Sequence, residues 1–331
     1  MPDATDRLRT SIAGIDLRNP VLLAAGTCGT LDEMGDVLDL SRVGGLVTKS
    51  ITPEAREGNQ TWRVVELGVG MLNAIGLANI GVEAFERDVG PRVAGVKTCV
   101  IGSAAGFRVD DYVRVAGALG QIEGVRAVEL NVSCPNVHGG TEFGLDTRAL
   151  GELVHQVRRA VPGKPLLVKL PPVALGSPSI VDVARAAIEG RPEGGGAAAS
   201  GGPGGRPGAD ALCLCNTTPA MAIDARTRKP RLANVTGGLS GPAVHPIVVR
   251  LIHQAYGAIA RPTQTPIIGI GGVLRWEDAA AFILAGASAV QMGTGLMADP
   301  RSPLRVVKGL DRWVREQGVA SVGELVGAVT G

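Results

Sequence analysis

The chain has 331 residues, 45% of them hydrophobic and 19% charged, which is enough apolar material for a large core and excludes global disorder. Basic and acidic residues number 33 and 31, a net charge of +2, so no polyanion-binding face is implied. Aromatic residues make up only 3%, which argues against base-stacking nucleic-acid platforms and leaves Val, Ala, Leu and Ile to build the core.

The first ten residues, MPDATDRLRT, are polar and charged, with no apolar signal core. No stretch approaches the roughly 18 uninterrupted apolar residues of a membrane span. Cys28, Cys99, Cys134, Cys213 and Cys215 form no C-x-x-C pair, so neither a metal site nor a disulfide framework is indicated. The chain reads as soluble, reduced and cytoplasmic, with no membrane or nucleic-acid partner expected.

Strand-length apolar runs then recur along the chain: Val21–Ala25, Gly45–Lys49, Thr98–Gly102, Ala127–Asn131, Leu166–Leu170, Ala211–Asn216, Pro266–Ile270 and Ala289–Gly293. Most are apolar throughout, as strands buried on both faces should be. Helical patterns lie between most of them, at Val109–Leu119, Thr147–Ala160, Ile180–Glu189, Pro242–Ala260 and Trp276–Ala285. The βα repeats predict a single (β/α)8 barrel, a TIM barrel, rather than a doubly wound sheet, since no early G-x-G-x-x-G turn is present. Leu8–Leu17, with Gly14 inside it, is expected to form a hairpin at the barrel bottom. Residues 190–208, GRPEGGGAAASGGPGGRPG, are low-complexity and predict a surface insertion that buries almost nothing. The long connection Thr217–Gly241 ends in a GGLSG run and is expected to be functional.

In this fold the chemistry sits on the loops after the strands. Of only six lysines, Lys49 and Lys169 fall at the ends of apolar strands, where an unpaired ammonium is costly and an anion is the natural partner. Asn131 and Asn216 end the fourth and sixth runs. Gly271-Gly272 and Gly293-Thr294 end the seventh and eighth, where backbone N–H groups can hold a phosphate. Cys134, in the loop NVSCPNVHGG, is a candidate general base if its surroundings favour the thiolate, with His138 nearby.

With these residues assembled, the chain resembles the dihydroorotate dehydrogenases, flavin enzymes of pyrimidine synthesis. The likeness runs over nearly the whole chain. Its most specific pieces are MLNAIGLAN at Met71–Asn79, ELNVSCPNV at Glu129–Val137, TRKPRLANVTGGLSGPA at Thr227–Ala243, and the late GIGGV and AGASAVQMGT. Cysteine at position 134 resembles the soluble class 1 enzymes, and the 227–243 stretch looks closest to the NAD-linked branch, class 1B.

The resemblance implies FMN as cofactor and oxidation of dihydroorotate to orotate. It implies that Lys49 and the loop Asn73, Ala74, Ile75, Gly76 and Leu77 bind the substrate carboxylate and ring, and that Asn131, Asn216 and Thr217 bond the pyrimidine amides. Cys134 would remove the C5 proton, and Lys169 would lie by the N1/O2 edge of the flavin. Ala25, Gly26, Lys49, Ser50, Asn131, Cys215, Gly241, Gly271, Gly272, Gly293 and Thr294 match FMN-contact positions. The implied partner is a subunit carrying FAD and an iron–sulfur cluster, in a heterotetramer; a homodimer is the other expectation. Fumarate, NAD through the partner and a quinone all stay open as electron acceptors. Two departures stand out: Cys99 where the family usually has Asn at the end of the third strand, and Ala25 where serine is common. They motivate one competing reading, a flavin-free, non-catalytic barrel subunit. A paralogue acting on another dihydropyrimidine is the other.

Overall fold

The computed structural model describes residues 6–132, 143–191, 202 and 205–330. Eight parallel strands close a barrel in chain order: Val21–Leu23, Gly45–Val47, Cys99–Ala104, Val125–Asn131, Leu166–Leu170, Ala211–Leu214, Ile267–Ile270 and Ala289–Met292. They are called the first to eighth barrel strands below. The fifth through eighth are buried at every residue, which is why their sequences read as unbroken apolar runs.

Side chains alternate between two cores. Leu22, Ala127, Leu167, Ala211 and Ile268 pack inside the barrel. Leu23, Val128, Val168, Leu212 and Ile267 pack outward in one cluster with helix residues such as Val115, Leu150 and Ile252. The predicted hairpin forms from Thr10–Ile12 and Ile15–Leu17, turned by Ala13 and Gly14, both at positive φ. Its Ile12, Ile15 and Leu17 join the interior cluster and plug the end where the strands begin.

The helices form where the sequence places them. Val109–Gln121, Thr147–Ala160, Ile180–Glu189 and Trp276–Ala285 match the prediction closely. Asp146 caps the second by accepting from the Arg148 and Ala149 N–H groups, and Ser179 caps the third in a reciprocal box with Asp182. The expected helix Pro242–Ala260 is a short turn, Pro242–Val244, then a helix, His245–Ala255, then a wider turn, Tyr256–Ala260. A last helix, Ser302–Glu316, completes the outer layer.

Three findings depart from the sequence reading. The third strand runs Cys99–Ala104, two residues further than expected, and its pairing with the fourth shifts register between Val100 and Ile101. Cys99 therefore begins this strand, near Ile15 of the bottom hairpin, at the opposite end of the barrel from the loops that follow the strands. The reading that put Cys99 at the end of the third strand is corrected: Ser103 and Ala104, small residues easily read as loop, end the strand. Second, an antiparallel sheet of four strands, in the order Thr218–Met221, Thr236–Ser240, Gly70–Asn73, Val64–Leu67, lies over the strand ends. Third, the low-complexity stretch is anchored at its end. Gly208 and Gly202 are buried, and the Gly208 carbonyl accepts from the fully buried Arg158 at 2.9 Å. Arg158 also pairs with Asp210. Gly190 closes its helix in the left-handed region, against Gly208, so the segment leaves and re-enters the fold at adjoining points. Residues 192–201, 203 and 204 of this stretch lie outside the described residues.

Candidate active site

The strand ends and the overlying sheet enclose one pocket. Its walls include Lys49 and Ser50 after the second strand, Asn131 on the fourth, Lys169 on the fifth, and Cys215, Asn216 and Thr217 after the sixth. Gly271, Gly272, Gly293 and Thr294 line it after the seventh and eighth strands, with Ala25 and Gly26 from the first. Asn73, Ile75, Gly76 and Leu77 reach it from the loop after Gly70–Asn73.

A chain of hydrogen bonds crosses the floor. Ser103 and Ser50 hydroxyls meet at 2.9 Å, and Asn131 donates to Ser50 Oγ at 3.3 Å. Asn216 donates to Asn131 Oδ1 at 3.0 Å, and its own Oδ1 accepts from the Thr217 N–H at 2.8 Å. Four strands are thus tied into one polar arc, whose amides are oriented before anything binds. From behind, the Tyr112 hydroxyl donates to the Asn131 carbonyl at 2.8 Å.

Two ammonium groups, those of Lys49 and Lys169, share this wall. Lys169 is 7% exposed, and its ammonium makes no hydrogen bond or ion pair to any other described residue. Lys49 sits across from Gly26, where an added Cβ would lie 3.8 Å from its Nζ; φ of +84° there suits glycine alone. Such a pocket favours a planar anion with amide edges.

The two glycine pairs sit side by side, because the seventh and eighth strands pair directly, Ile270 opposite Gln291. Gly272, at φ of +74°, passes so close to the Gly241 carbonyl that a Cβ would lie 2.6 Å from it. Gly241 itself stands just behind the wall. Thr294 Oγ1 donates to Ser240 Oγ at 2.7 Å, joining the eighth strand to the overlying sheet.

The 73–77 loop is held from outside the pocket. Asn59 donates to the Ala74 carbonyl at 3.0 Å, and Arg56 to the Gly76 carbonyl at 3.3 Å while stacking over Phe107 at 4.9 Å. Ala74 is fully buried and packs beneath the sheet with Leu72 and Leu232, so its side chain does not reach the pocket. Met71, Val64, Leu239, Ser240 and Met297 line the pocket but were not foreseen. Their signal was partial: Leu239 and Ser240 lay in the GGLSG run and Met71 opened the MLNAIGLAN piece, while Val64 and Met297 carried no mark.

Burial pushes the thiol of Cys215 far up, and that of Cys213 well above its ordinary range, so both are neutral, packed groups. Cys134 and His138 lie outside the described residues. Among the described residues no group of His, Cys, Asp or Glu could hold a metal ion, and no helix is long and apolar enough to cross a membrane.

A sequence profile for dihydroorotate dehydrogenase matches residues 7–189 and 205–314, leaving out most of the low-complexity stretch. The catalytic subunit of dihydroorotate dehydrogenase B (NAD(+)) from Pelobacter propionicus is 45% identical, covering 99% of both chains. The corresponding subunit from Desulforudis audaxviator is 44% identical over 96% of each chain. A putative dihydroorotate dehydrogenase A (fumarate) from Solibacter usitatus is 43% identical, over 98% of this chain and 99% of its own. With its barrel, its pocket and this likeness along nearly its full length, the chain belongs to the dihydroorotate dehydrogenase family.

Proposed function

We propose that the protein oxidises dihydroorotate to orotate with FMN, in pyrimidine biosynthesis. The observation that carries this reading is the convergence of Lys49, the Asn73 loop, Asn131, Asn216, Thr217 and Lys169 on one pocket that also holds both glycine pairs. Lys49 meets the substrate carboxylate. Asn131, Asn216 and Thr217, already joined in one arc, offer donors and acceptors to the amide edges of the ring. Cys134 takes the C5 proton as general base. FMN, when bound, supplies the two-electron acceptor for the hydride from C6. Gly271-Gly272 and Gly293-Thr294 fit one phosphate on backbone N–H groups, and Lys169 presents a positive charge where the cofactor becomes more anionic.

The Asn73 loop and Lys49 favour dihydroorotate over a dihydropyrimidine without a carboxylate, because the carboxylate offers the Lys49 ammonium in this pocket an ionic contact that the other substrate lacks. For electron exit we favour a partner subunit, as the name of the NAD-linked relatives, catalytic subunit, suggests; that it carries FAD and an iron–sulfur cluster follows from the sequence resemblance. The test is a dye-linked assay with dihydroorotate and dihydrouracil in parallel, together with the mass of the released chromophore. Turnover of dihydroorotate alone and the mass of FMN are expected. Preference for dihydrouracil, or a protein that holds no flavin, overturns the proposal.

A further inference from the structure

Asn79 closes the MLNAIGLAN piece, two residues beyond Leu77. It lines a second cavity, with Ile51, Arg56 and Ile80, that meets the pocket at Gly26 and Lys49. Its side-chain amide is fully engaged. Oδ1 accepts from the N–H groups of Thr52 at 3.2 Å and Gly81 at 2.8 Å. Nδ2 donates to the Thr52 hydroxyl at 2.7 Å and to the Leu77 carbonyl at 2.8 Å. The Thr52 hydroxyl gives its own proton to the Glu54 carbonyl at 2.7 Å, so toward Asn79 it acts as an acceptor. Two acceptor places and two donor hydrogens on one short, planar group are what an asparagine amide offers; a carboxylate offers acceptors alone. The main chain of Asn79 is fixed as well, by a reciprocal pair of bonds with Arg56 at 2.8 and 2.9 Å.

The two segments that this amide joins are the ones that carry Lys49 and the 73–77 loop. On the Lys49 side the segment is anchored to the barrel: Ile51 donates to the Ser103 carbonyl at 2.9 Å and accepts from the Ala105 N–H at 2.8 Å, and Thr52 beside it is buried. The loop side ends in two successive residues with left-handed backbone, Gly76 at φ of +76° and Leu77 at +58°. For leucine that conformation is unfavourable and persists only where its surroundings hold it. Asn79 supplies the hold, through the Leu77 carbonyl, and passes it to Thr52. We propose that Asn79 is a positioning residue for substrate binding: it keeps Leu77 in its left-handed turn and sets the spacing between the 73–77 loop and Lys49, and with it the grip on the carboxylate-bearing end of the ring. The inference rests on the dihydroorotate reading of the pocket. A role in shape alone is the alternative, since the Gly81 contact is also an Asx turn leading into Val82–Ala84. Shape alone would alter stability and flavin content; positioning alters substrate and product binding in flavin-loaded protein.

The experiment uses the flavin-loaded full chain and measures the Kd of orotate from the flavin spectral shift, with kcat and KM for dihydroorotate in a dye-linked assay. Asn79→Asp keeps both acceptor places but turns a carboxylate oxygen on the Leu77 carbonyl. It should raise Kd and KM about tenfold and change kcat less than about threefold, the weight of one lost hydrogen bond and an opposed pair of oxygens. In a Leu77→Gly background, where left-handed backbone needs no hold, the same substitution should raise Kd by less than about threefold. Thr52→Val keeps the Thr52 N–H but removes the hydroxyl from Nδ2; it should raise Kd in the same direction, and it decides the matter if Asn79→Asp fails to fold. An unchanged Kd in whichever of these two variants folds, an equal rise in both Leu77 backgrounds, or a fall in kcat with KM unchanged overturns the proposal. Wild-type protein that holds flavin but neither binds orotate nor oxidises dihydroorotate would overturn the reading of the pocket, and the part given to Asn79 with it.

Discussion

Cys134→Ala should retain the flavin but slow its reduction by dihydroorotate by roughly 10²–10⁴-fold, the usual weight of a positioned general base. Cys134→Ser should fall between, because a hydroxyl is the poorer base at neutral pH. Stopped-flow reduction distinguishes these, and an unchanged rate in the alanine variant removes Cys134 from the mechanism. Arg158 tests a different kind of residue. It is fully buried, pairs with Asp210, and holds the carbonyls of Gly208 and Lys164, each at 2.9 Å. Arg158→Ala leaves Asp210 buried with only the Leu166 N–H to serve it, and should cost about 3–5 kcal/mol in urea unfolding. A loss below about 1 kcal/mol would show that the pair is dispensable. Lys49 and Lys169 were legible in the sequence because lysine is out of place in an apolar strand. Arg158, on an amphipathic helix among other arginines, looked like any solvated cation, and its burial depends on residues fifty positions away.

At the scale of elements, the barrel strands were legible because strands covered on both faces must be apolar throughout. The limits of that signal show at Ser103 and Ala104, whose small side chains end a strand without an apolar mark, and whose misreading put Cys99 at the wrong end of the barrel. The sheet over the pocket was not legible. Its strands Val64–Leu67 and Thr218–Met221 alternate only weakly and half-face solvent, and their pairing joins segments far apart in sequence. The low-complexity stretch offers a test at this scale. Replacing residues 192–201 by about four residues, with Gly190 and residues 205–208 kept, should leave melting temperature and turnover nearly unchanged, because the ends already adjoin and closure entropy varies slowly with length. Loss of soluble protein would show that the segment packs or binds a partner.

For the whole molecule, buried thiols set a limit on the alkaline side. Burial pushes Cys99 up to about 11 and Cys28 up to about 12, from an ordinary value of 9.0. In the fold these groups stay neutral while the unfolded chain ionises, so their contribution is complete below pH 9.0 and is lost as pH rises through about 11 and 12. The urea midpoint should fall across that window, and Cys99→Ala should fall less steeply; equal slopes for the two proteins would contradict the assignment. Electron exit is also a property of the whole assembly. The isolated chain should reduce dyes with dihydroorotate but not NAD, and an added FAD and iron–sulfur subunit should restore NAD reduction without altering the flavin half-reaction. Efficient fumarate reduction by the isolated chain would instead place it beside the relative from Solibacter usitatus.

The most direct test of the central claim is anaerobic titration of the purified protein with dihydroorotate, followed by absorbance. The account predicts that the flavin band bleaches with one orotate formed per flavin reduced, and that orotate added afterwards shifts the residual spectrum by binding the same pocket. A flavin band that dihydroorotate leaves unchanged, in protein that dithionite bleaches fully, would contradict it.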